Sequence, residues 1–196
     1  MITYRQAQRT ELELILSWAA AEGWNPGLGD AAVFWPADPH GFFVALDQET
    51  PVAAISVVNH TNSFAFLGLY IVLPAYRGRG IGYGLWQHAI AHAGDRTIGL
   101  DGVPDQQSNY EASGFCHAGA TTRFAGPVSP KAAPGIEVAK ASDISRLITR
   151  EAQASGIEKT RYLTQWFSNS ADRQTFVHDR GFCTCLLYTS PSPRDS

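Results

Sequence analysis

The residues best suited to chemistry form a glycine-rich turn between an apolar segment and a helical pattern. Apolar side chains occupy nearly all of 64–73, and the turn Arg77-Gly78-Arg79-Gly80-Ile81-Gly82 follows. Such a turn presents backbone N–H groups to an anion, and the helix N-terminus adds about half a positive charge. A P-loop requires Gly-Lys before Ser or Thr, and a dinucleotide-binding fingerprint requires a different glycine spacing. The turn matches neither motif, and the simpler alternative is a surface turn with two solvated arginines.

Two segments resemble the motifs of a known family. The stretch from Leu69 to Gly82 resembles the acyl-CoA signature of GNAT acetyltransferases, in which Arg or Gln, two residues, Gly, one residue and Gly or Ala follow a central strand. The stretch from Asn109 to Phe115 resembles the family element of a tyrosine, an acidic residue, two further positions and Gly-Phe. The order of elements over 2–124 also fits. The Trp24-Asn25-Pro26-Gly27 segment and a second, related lobe further resemble a two-lobe branch.

The resemblance implies N-acyl transfer from acetyl-CoA to a primary amine on a small molecule or peptide, by direct attack on the thioester and without a metal. It implies that the main chain of Tyr70, Ile71 and Val72 binds the pantetheine arm and the thioester carbonyl. Tyr110 is then the acid that protonates the leaving thiolate. The amides of Gly78, Arg79, Gly80, Ile81, Gly82 and Tyr83 are expected to bind the pyrophosphate, and Arg77 is a further expected CoA-binding residue. One position departs from the family pattern, because Val103 stands where an Asn is often found.

The sequence leaves the general base open. Asp101, Asp30 and His60 are candidates, and none is assigned. His88 and His92 are four residues apart on a helix, but without a third ligand we expect them to be solvent-exposed rather than metal-binding. The competing functional hypothesis is a catalytically idle module that binds CoA or a protein partner, since a fold does not fix a function.

Hydrophobic periodicity and turn residues predict the elements that position these groups. We expect a first helix with a capping box of Thr10 and Glu13, followed by a hairpin. A buried strand at 64–73 should lie in the middle of the sheet. The other expected elements are strands at 2–4, 97–100 and 115–124 and helices after Gly80 and at 106–113. With the resemblance, this predicts an α/β fold of the α+β type, in which helices flank a mixed, largely antiparallel sheet.

Composition divides the chain into unequal parts. We expect a catalytic lobe at 1–127, a Pro- and Gly-rich linker at 128–135, a partial second lobe at 136–185 and a non-native tail at 186–196. The tail resembles adapter read-through, which implies a longer natural protein. The second lobe is expected to have strands at 136–139 and 174–177 and helices after Asp143 and at 161–167. Such a fragment buries little apolar surface unless it docks on the first lobe, so Leu163, Trp166 and Phe167 should be partly exposed.

Charge and cysteine content narrow the function class further. The net charge of -3 provides no basic surface for nucleic acid. The apolar run 64–73 is too short to cross a membrane, which needs about 18 residues or more. The start resembles no signal peptide, and the three cysteines lack the spacing of a zinc site, which together predict a cytoplasmic protein without a metal. The sequence gives no indication of the oligomeric state.

Overall fold

The computed structural model describes residues 1–124, 126–127, 129 and 134–186. We call residues 1–124 the N-terminal lobe and residues 134–186 the C-terminal lobe. The elements of the N-terminal lobe are β1 (Ile2–Gln6), α1 (Leu12–Ala21), α2 (Asp30–Phe34), β2 (Phe42–Asp47), β3 (Thr50–Asn59), β4 (Phe64–Val72), α3 (Ile81–Ile90), β5 (Thr97–Leu100) and α4 (Gln107–Ala112). Those of the C-terminal lobe are β6 (Glu137–Val138), α5 (Ile144–Ser155), α6 (Thr160–Trp166), β7 (Arg173–His178) and β8 (Gly181–Leu186).

The N-terminal lobe is built on a five-stranded sheet in the order β1-β2-β3-β4-β5. Strands β1 to β4 pair antiparallel with one another, whereas β4 and β5 are parallel. Helix α3 makes the crossover that a parallel pair requires. The predicted mixed, largely antiparallel sheet is therefore confirmed. Strand β4 has a neighbour on each side, but β3 occupies the middle position that the sequence analysis assigned to β4.

Helices cover both faces of this sheet and bury a separate core on each. On one face, Leu85, Trp86 and Ala89 of α3 pack against the strands. On the other face, Leu12 and Ile15 of α1 pack against β2 and β3. Both helices follow the 3.6-residue period from which they were predicted.

A β-bulge interrupts β4 and reverses which of its side chains face each core. Leu69 has a positive φ of 48°, and the register with β3 shifts between Ala54 and Ser56. Before the bulge, Ala65 and Leu67 face α3, whereas after it Tyr70 and Val72 do so. A one-residue insertion causes this exchange because side chains alternate between faces with a period of two. Leu69 itself faces the opposite core.

The C-terminal lobe has a small sheet and core of its own. Strands β6, β7 and β8 form an antiparallel sheet with β7 in the centre. Leu163 and Phe167 are only 3% and 4% exposed, so the prediction that they would be partly exposed was wrong. They are covered because β8, which was not predicted, brings Phe182 to 5.4 Å from the Phe167 ring. Trp166 is half-buried, in agreement with the prediction.

Two local predictions were also wrong. Residues 115–124 form no strand within the described part of the chain, because the small residues around Gly119 have little tendency to pair in a sheet. The first helix is not capped by Thr10. Instead, the Glu11 carboxylate accepts the Gln8 N–H at 2.7 Å and ends a short 3₁₀ turn that precedes α1.

Parts of the expected linker and tail lie outside the described residues. These are residues 128 and 130–133 of the linker and residues 187–196 of the tail. Leu186, which was assigned to the tail, is the last residue of β8. Among the described residues, no helix is long and apolar enough to cross a lipid bilayer.

Candidate active site

One edge of β4 opens where its pairing with β5 stops. The last residues paired in this parallel ladder are Leu67 and Leu100, whereas β4 continues along β3 as far as Val72. Among the described residues, β4 has no strand partner on the β5 side beyond Leu67. Backbone N–H and C=O groups on such an edge are available to an extended ligand. Tyr70, Ile71 and Val72, which were predicted to bind pantetheine through their main chain, all lie on this segment.

The glycine-rich turn leads from this edge into the N-terminus of α3. Gly78 and Gly80 have left-handed φ values of 71° and 74°, and a Cβ atom on either would meet nothing within 4 Å. The first hydrogen bond of the helix runs from the Gly84 N–H to the Gly80 carbonyl at 3.0 Å. No side chain caps the helix, so the N–H groups of 81–83 lack an acceptor within it. The turn therefore presents an uncapped helix N-terminus beside open space.

Both arginines of the turn are exposed, and each contacts a neighbouring side chain. Arg77 Nε donates to the Val72 carbonyl at 2.8 Å, and its guanidinium pairs with Glu22. This fixes the turn to the end of β4. The Arg79 guanidinium lies 5.1 Å from the centre of the Tyr76 ring.

Packing against the sheet explains why two further positions of α3 are glycine. A Cβ on Gly82 would lie 2.8 Å from the Tyr70 hydroxyl and 2.9 Å from Val72 Cγ2. A Cβ on Gly84 would overlap the Tyr4 hydroxyl. Helix α3 can thus approach the sheet closely only without these side chains. This contact offsets the helix propensity lost at Gly84, which is on the order of 1 kcal/mol.

Tyr110 lies on α4, beside the open edge of β4. Its ring packs 6.0 Å from Trp86 and 6.1 Å from Phe115. Burial raises the pKa of the Tyr110 phenol, so it is protonated at neutral pH, as a general acid must be. Burial also raises the pKa of Tyr70 to about 12, and the charge of a nearby ionised Tyr110 adds to this effect. The two phenols therefore lie close enough to influence each other.

A cavity of about 770 Å³ lies between the sheet and the C-terminal lobe. The wall formed by the N-terminal lobe includes Phe66, Gly68 and Leu69 of β4, so the bulge lies at the cavity surface. Asp101 also lines it. Most of the remaining wall is apolar, and its aromatic members are Phe34, Phe42, Phe64, Tyr162, Trp166, Phe167 and Phe182. A cavity of this size and lining is typical of a site for an organic molecule.

The structure separates the three candidates for the general base. Asp30 is buried and pairs with Arg173 at 2.6 Å, so it is unavailable to a substrate. His60 lines the cavity but lies beside Phe64, at the other end of the cavity-lining part of β4 from the bulge. Asp101 directly follows Leu100, the partner of Leu67. Its carboxylate is therefore the candidate nearest the bulge.

His88, His92 and Trp35 contact neighbouring side chains. His92 Nε2 lies 2.8 Å from Asp38 Oδ2, and its side chain is 22% exposed, so the expectation of a solvent-exposed residue was wrong. His88 is exposed, as expected, and stacks on Tyr4. Trp35 stacks on Phe42 at 5.5 Å. These contacts assign the three side chains to packing rather than to chemistry.

Comparison with known proteins identifies the family. The model of the Acetyltransferase (GNAT) family matches residues 9–115. The chain belongs to the GNAT acetyltransferase family. It is 35% identical over 181 residues to holothin acyltransferase of Pseudoalteromonas sp. strain SANK 73390, an alignment that covers 91% of this chain and 61% of that protein. The chain therefore spans less than two thirds of the length of this relative.

Solved structures share the fold of this GNAT chain. A Pyrococcus horikoshii protein, provisionally described as an acetyltransferase, has a TM-score of 0.72 at 18% identity and covers 94% of this chain and 68% of its own. A Clostridium acetobutylicum protein, predicted to be an acetyltransferase and solved with acetyl-CoA, has a TM-score of 0.52 at 17% identity over 64% of this chain and 96% of its own. The first match extends over most of both lobes. The fold class predicted from the sequence is thus confirmed.

Sequence reasoning about this GNAT chain missed two features of the site. The bulge at Leu69 was not predicted, although the adjacent Gly68 gave a weak signal, since glycine within a strand often marks a bulge. The cavity was not predicted either. Residues of both lobes form its walls, and a local sequence pattern does not predict which faces of two distant segments will be in contact.

Proposed function

We propose that this chain transfers an acetyl group from acetyl-CoA to a primary amine that binds in the cavity between the lobes. The observation that carries the proposal is the open edge of β4 beside the uncapped N-terminus of α3. These two features offer an extended hydrogen-bonding edge and an anion site, and pantetheine and pyrophosphate require the same pair. Membership of the GNAT family supports the same reaction class.

The residues present fit CoA. The N–H groups of 81–83 would donate to the pyrophosphate, and the left-handed glycines Gly78 and Gly80 leave space for it. The Tyr70 main chain and the Val72 N–H would pair with the amides of the pantetheine arm on the open edge, whereas the Ile71 main chain pairs with Ala54 of β3. The thioester would then lie near the bulge, where an N–H released from the ladder would stabilise the oxyanion.

The chemistry requires two proton transfers. The amine nitrogen attacks the thioester carbonyl carbon, and the carbon–sulfur bond breaks as the new amide forms. Tyr110 gives its phenolic proton to the departing thiolate, whose conjugate thiol has a pKa of about 8.5. We propose that Asp101, the carboxylate nearest the bulge, accepts the proton lost by the amine. Solvent then restores both groups.

The acceptor is proposed to bind against both lobes. We retain the division into a catalytic lobe at 1–127 and a partial second lobe at 136–185 as a proposal, in which the second lobe supplies half of the acceptor site. The Pseudoalteromonas relative is named for acyl transfer to holothin. For this chain we extend only the reaction class, with a small amine as the acceptor.

The anion site can be tested by placing a negative charge beside it. Tyr83 is 68% exposed and lies in the first turn of α3, where an acidic residue stabilises the helix itself. Tyr83→Asp should therefore stay folded while repelling the pyrophosphate. One charge acting on about two at about 6 Å in water gives about 1.4 kcal/mol, or about a tenfold loss of CoA affinity.

The matched controls are Tyr83→Asn, which removes the ring without adding charge, and Gln87→Glu, which adds the charge one turn further along the same helix. Calorimetric titration with CoA measures the affinities, and added salt should reduce the difference. Unchanged affinity in folded Tyr83→Asp would mean that the anion binds elsewhere.

Turnover separates the enzyme from an idle CoA-binding module. Thiol release from acetyl-CoA is measured with a panel of primary amines and without any amine. Amine-dependent release together with formation of the acetylated amine supports the enzyme. Tight CoA binding without release across the panel would favour the idle module.

A further inference from the structure

In the described part of the wall, the charged side chains of the cavity lie at its two ends. Asp101 lies at the end that contains the bulge at Leu69. From Gly68 back to Phe64, β4 extends over about 13 Å at about 3.3 Å per residue. The N–H of His60 donates to the Phe64 carbonyl at 3.1 Å, so His60 marks the far end. An amine that reacted at the bulge and filled the cavity would therefore be an elongated molecule.

A cation at the far end is already paired. Among the described residues that line the cavity, Lys159 is the only lysine or arginine. Lys159 Nζ lies 2.7 Å from Glu151 Oε1, and the two side chains are 20% and 22% exposed. Burial and the charge of Lys159 lower the pKa of His60 to about 4, so the imidazole is neutral at neutral pH. Within the described part of the wall, the far end therefore has two charges that compensate each other and no free cation.

The walls between the two ends are mostly apolar. Phe64 and Phe66 line the sheet side of the cavity, and Trp166 and Phe182 line the side of the C-terminal lobe. Aromatic surfaces of this kind favour flat apolar groups. A carboxylate placed among them would lose its hydration without a free cation to compensate, and this costs far more than the same transfer of a neutral group.

We propose that the acceptor has one charged group, its amine, on an elongated, flat apolar body, and that the pairing of Lys159 with Glu151 excludes amines that also carry a carboxylate. This inference rests on the proposed function, because it takes the cavity as the acceptor site. The positive amine is attracted to the end with Asp101, whereas a carboxylate at the opposite end finds its counter-ion occupied. Amino acids are therefore not acceptors. Lys159 and Glu151 determine specificity and take no part in the chemistry.

Two matched biphenyl amines test the exclusion of a carboxylate. Each has an aminomethyl group on one ring. The far ring of the first has a carboxylate, and that of the second has the primary carboxamide, which is similar in shape but uncharged. We expect the carboxamide to bind at least about tenfold more tightly, since a buried charge without a partner costs more than a neutral polar group. Calorimetric titration measures both affinities in the presence of CoA, which has no acetyl group to transfer.

Three variants test the role of the pair. Glu151→Gln keeps the shape of the side chain and removes its charge, so the Lys159 ammonium, on its flexible stem, becomes available to the cavity. The carboxylate probe should then gain at least about tenfold in affinity, because charge-assisted hydrogen bonds are among the stronger ones, while the carboxamide changes little. Adding Lys159→Met to Glu151→Gln removes the cation and should abolish this gain. Glu158→Gln removes the same charge at an exposed position nearby and should keep the parental preference.

Binding is measured without turnover, which keeps this test separate from that of the proposed function. The expected pattern of affinities supports the inference even if acetyl-CoA transfers no acetyl group to the carboxamide, in which case only the proposed function fails. Equal affinity of the two probes in the parental protein would overturn the inference, as would failure of both to bind, whether or not other amines are acetylated. Rejection of the carboxylate that persists in folded Glu151→Gln would also overturn it, and so would a gain that persists in the double variant.

Discussion

A buried ion pair between the lobes provides the sharpest test of how the cavity is held together. Arg173 Nη2 lies 2.6 Å from Asp30 Oδ1, and the two side chains are 2% and 4% exposed. The Gly27 N–H donates to the other oxygen of Asp30 at 2.9 Å. The guanidinium also lies 4.7 Å from the centre of the Trp166 ring. The pair thus joins the start of α2 to β7 and α6 of the C-terminal lobe.

The change to make is Asp30→Asn, which keeps the shape and removes the charge. Arg173 would then be a buried cation without its hydrogen-bonded anion, a situation that typically costs about 3–5 kcal/mol. Since about 1.4 kcal/mol corresponds to a factor of ten, the population in which the C-terminal lobe is detached or unfolded should rise by about 10²-fold or more. The cost comes from the unpaired charge rather than from a strong pair, because burial raises the pKa of Asp30 despite the nearby guanidinium.

Limited proteolysis with mass spectrometry measures this population. When opening and closing are faster than cleavage, the cleavage rate follows the fraction of open molecules. In Asp30→Asn, residues 134–186 should be degraded much faster and leave a resistant N-terminal lobe. Asp95→Asn is the matched control, because Asp95 is exposed and makes no side-chain hydrogen bond within the described residues.

A double variant tests the physical reason. Asp30→Leu with Arg173→Met removes both charges and should be cleaved more slowly than Asp30→Asn, since no buried charge is left unpaired. The reasoning is refuted if Asp30→Asn is cleaved at the parental rate. It is also refuted if the double variant is cleaved as fast as the single one.

Two further predictions concern the chemical step. Tyr110→Phe should lower the single-turnover rate by about 10²- to 10⁴-fold with little change in CoA affinity. The parental rate should fall at high pH as the Tyr110 phenol ionises, and the fall should occur above the ordinary tyrosine range because burial raises the pKa of Tyr110. This fall should be absent in Tyr110→Phe. An undiminished single-turnover rate in Tyr110→Phe would exclude Tyr110 as the acid. Asp101→Asn should lower the single-turnover rate by about 10²-fold or more. The control Asp105→Asn, at an exposed position nearby, should leave the rate unchanged. Equal rates for the two variants would exclude Asp101 as the proton acceptor.

The local geometry of the side proposed to bind CoA could be predicted because its information is local. An apolar strand, a glycine turn and an amphipathic helix follow one another in the chain, and their signals are hydrophobic periodicity and glycine positions. Gly78 and Gly80 have the left-handed conformation for which glycine is suited. The glycines of α3 were harder to interpret. Gly82 and Gly84 fit against Tyr70 and Tyr4, contacts that depend on how the helix packs on the sheet.

The side proposed to bind the acceptor could not be predicted because its information is nonlocal. Strand β8 is only six residues long and is stabilised by pairing with β7. The link between Asp30 and Arg173 spans 143 positions of the chain, and neither residue belongs to a recognisable motif. From sequence alone, a buried aspartate or arginine is usually predicted to be a surface residue, since most aspartates and arginines are exposed.

The bulge at Leu69 connects the two sides of the site. Without it, the alternation of β4 would continue, and Tyr70 would point toward the C-terminal lobe instead of toward α3. With it, Gly68 and Leu69 both line the cavity, while Tyr70 and Val72 pack under α3 on the opposite face. Within three residues, one strand therefore has its open edge at the proposed CoA site and its face at the proposed acceptor site. The irregularity in β4 is thus the feature that brings the two substrates of the proposed reaction to the same point.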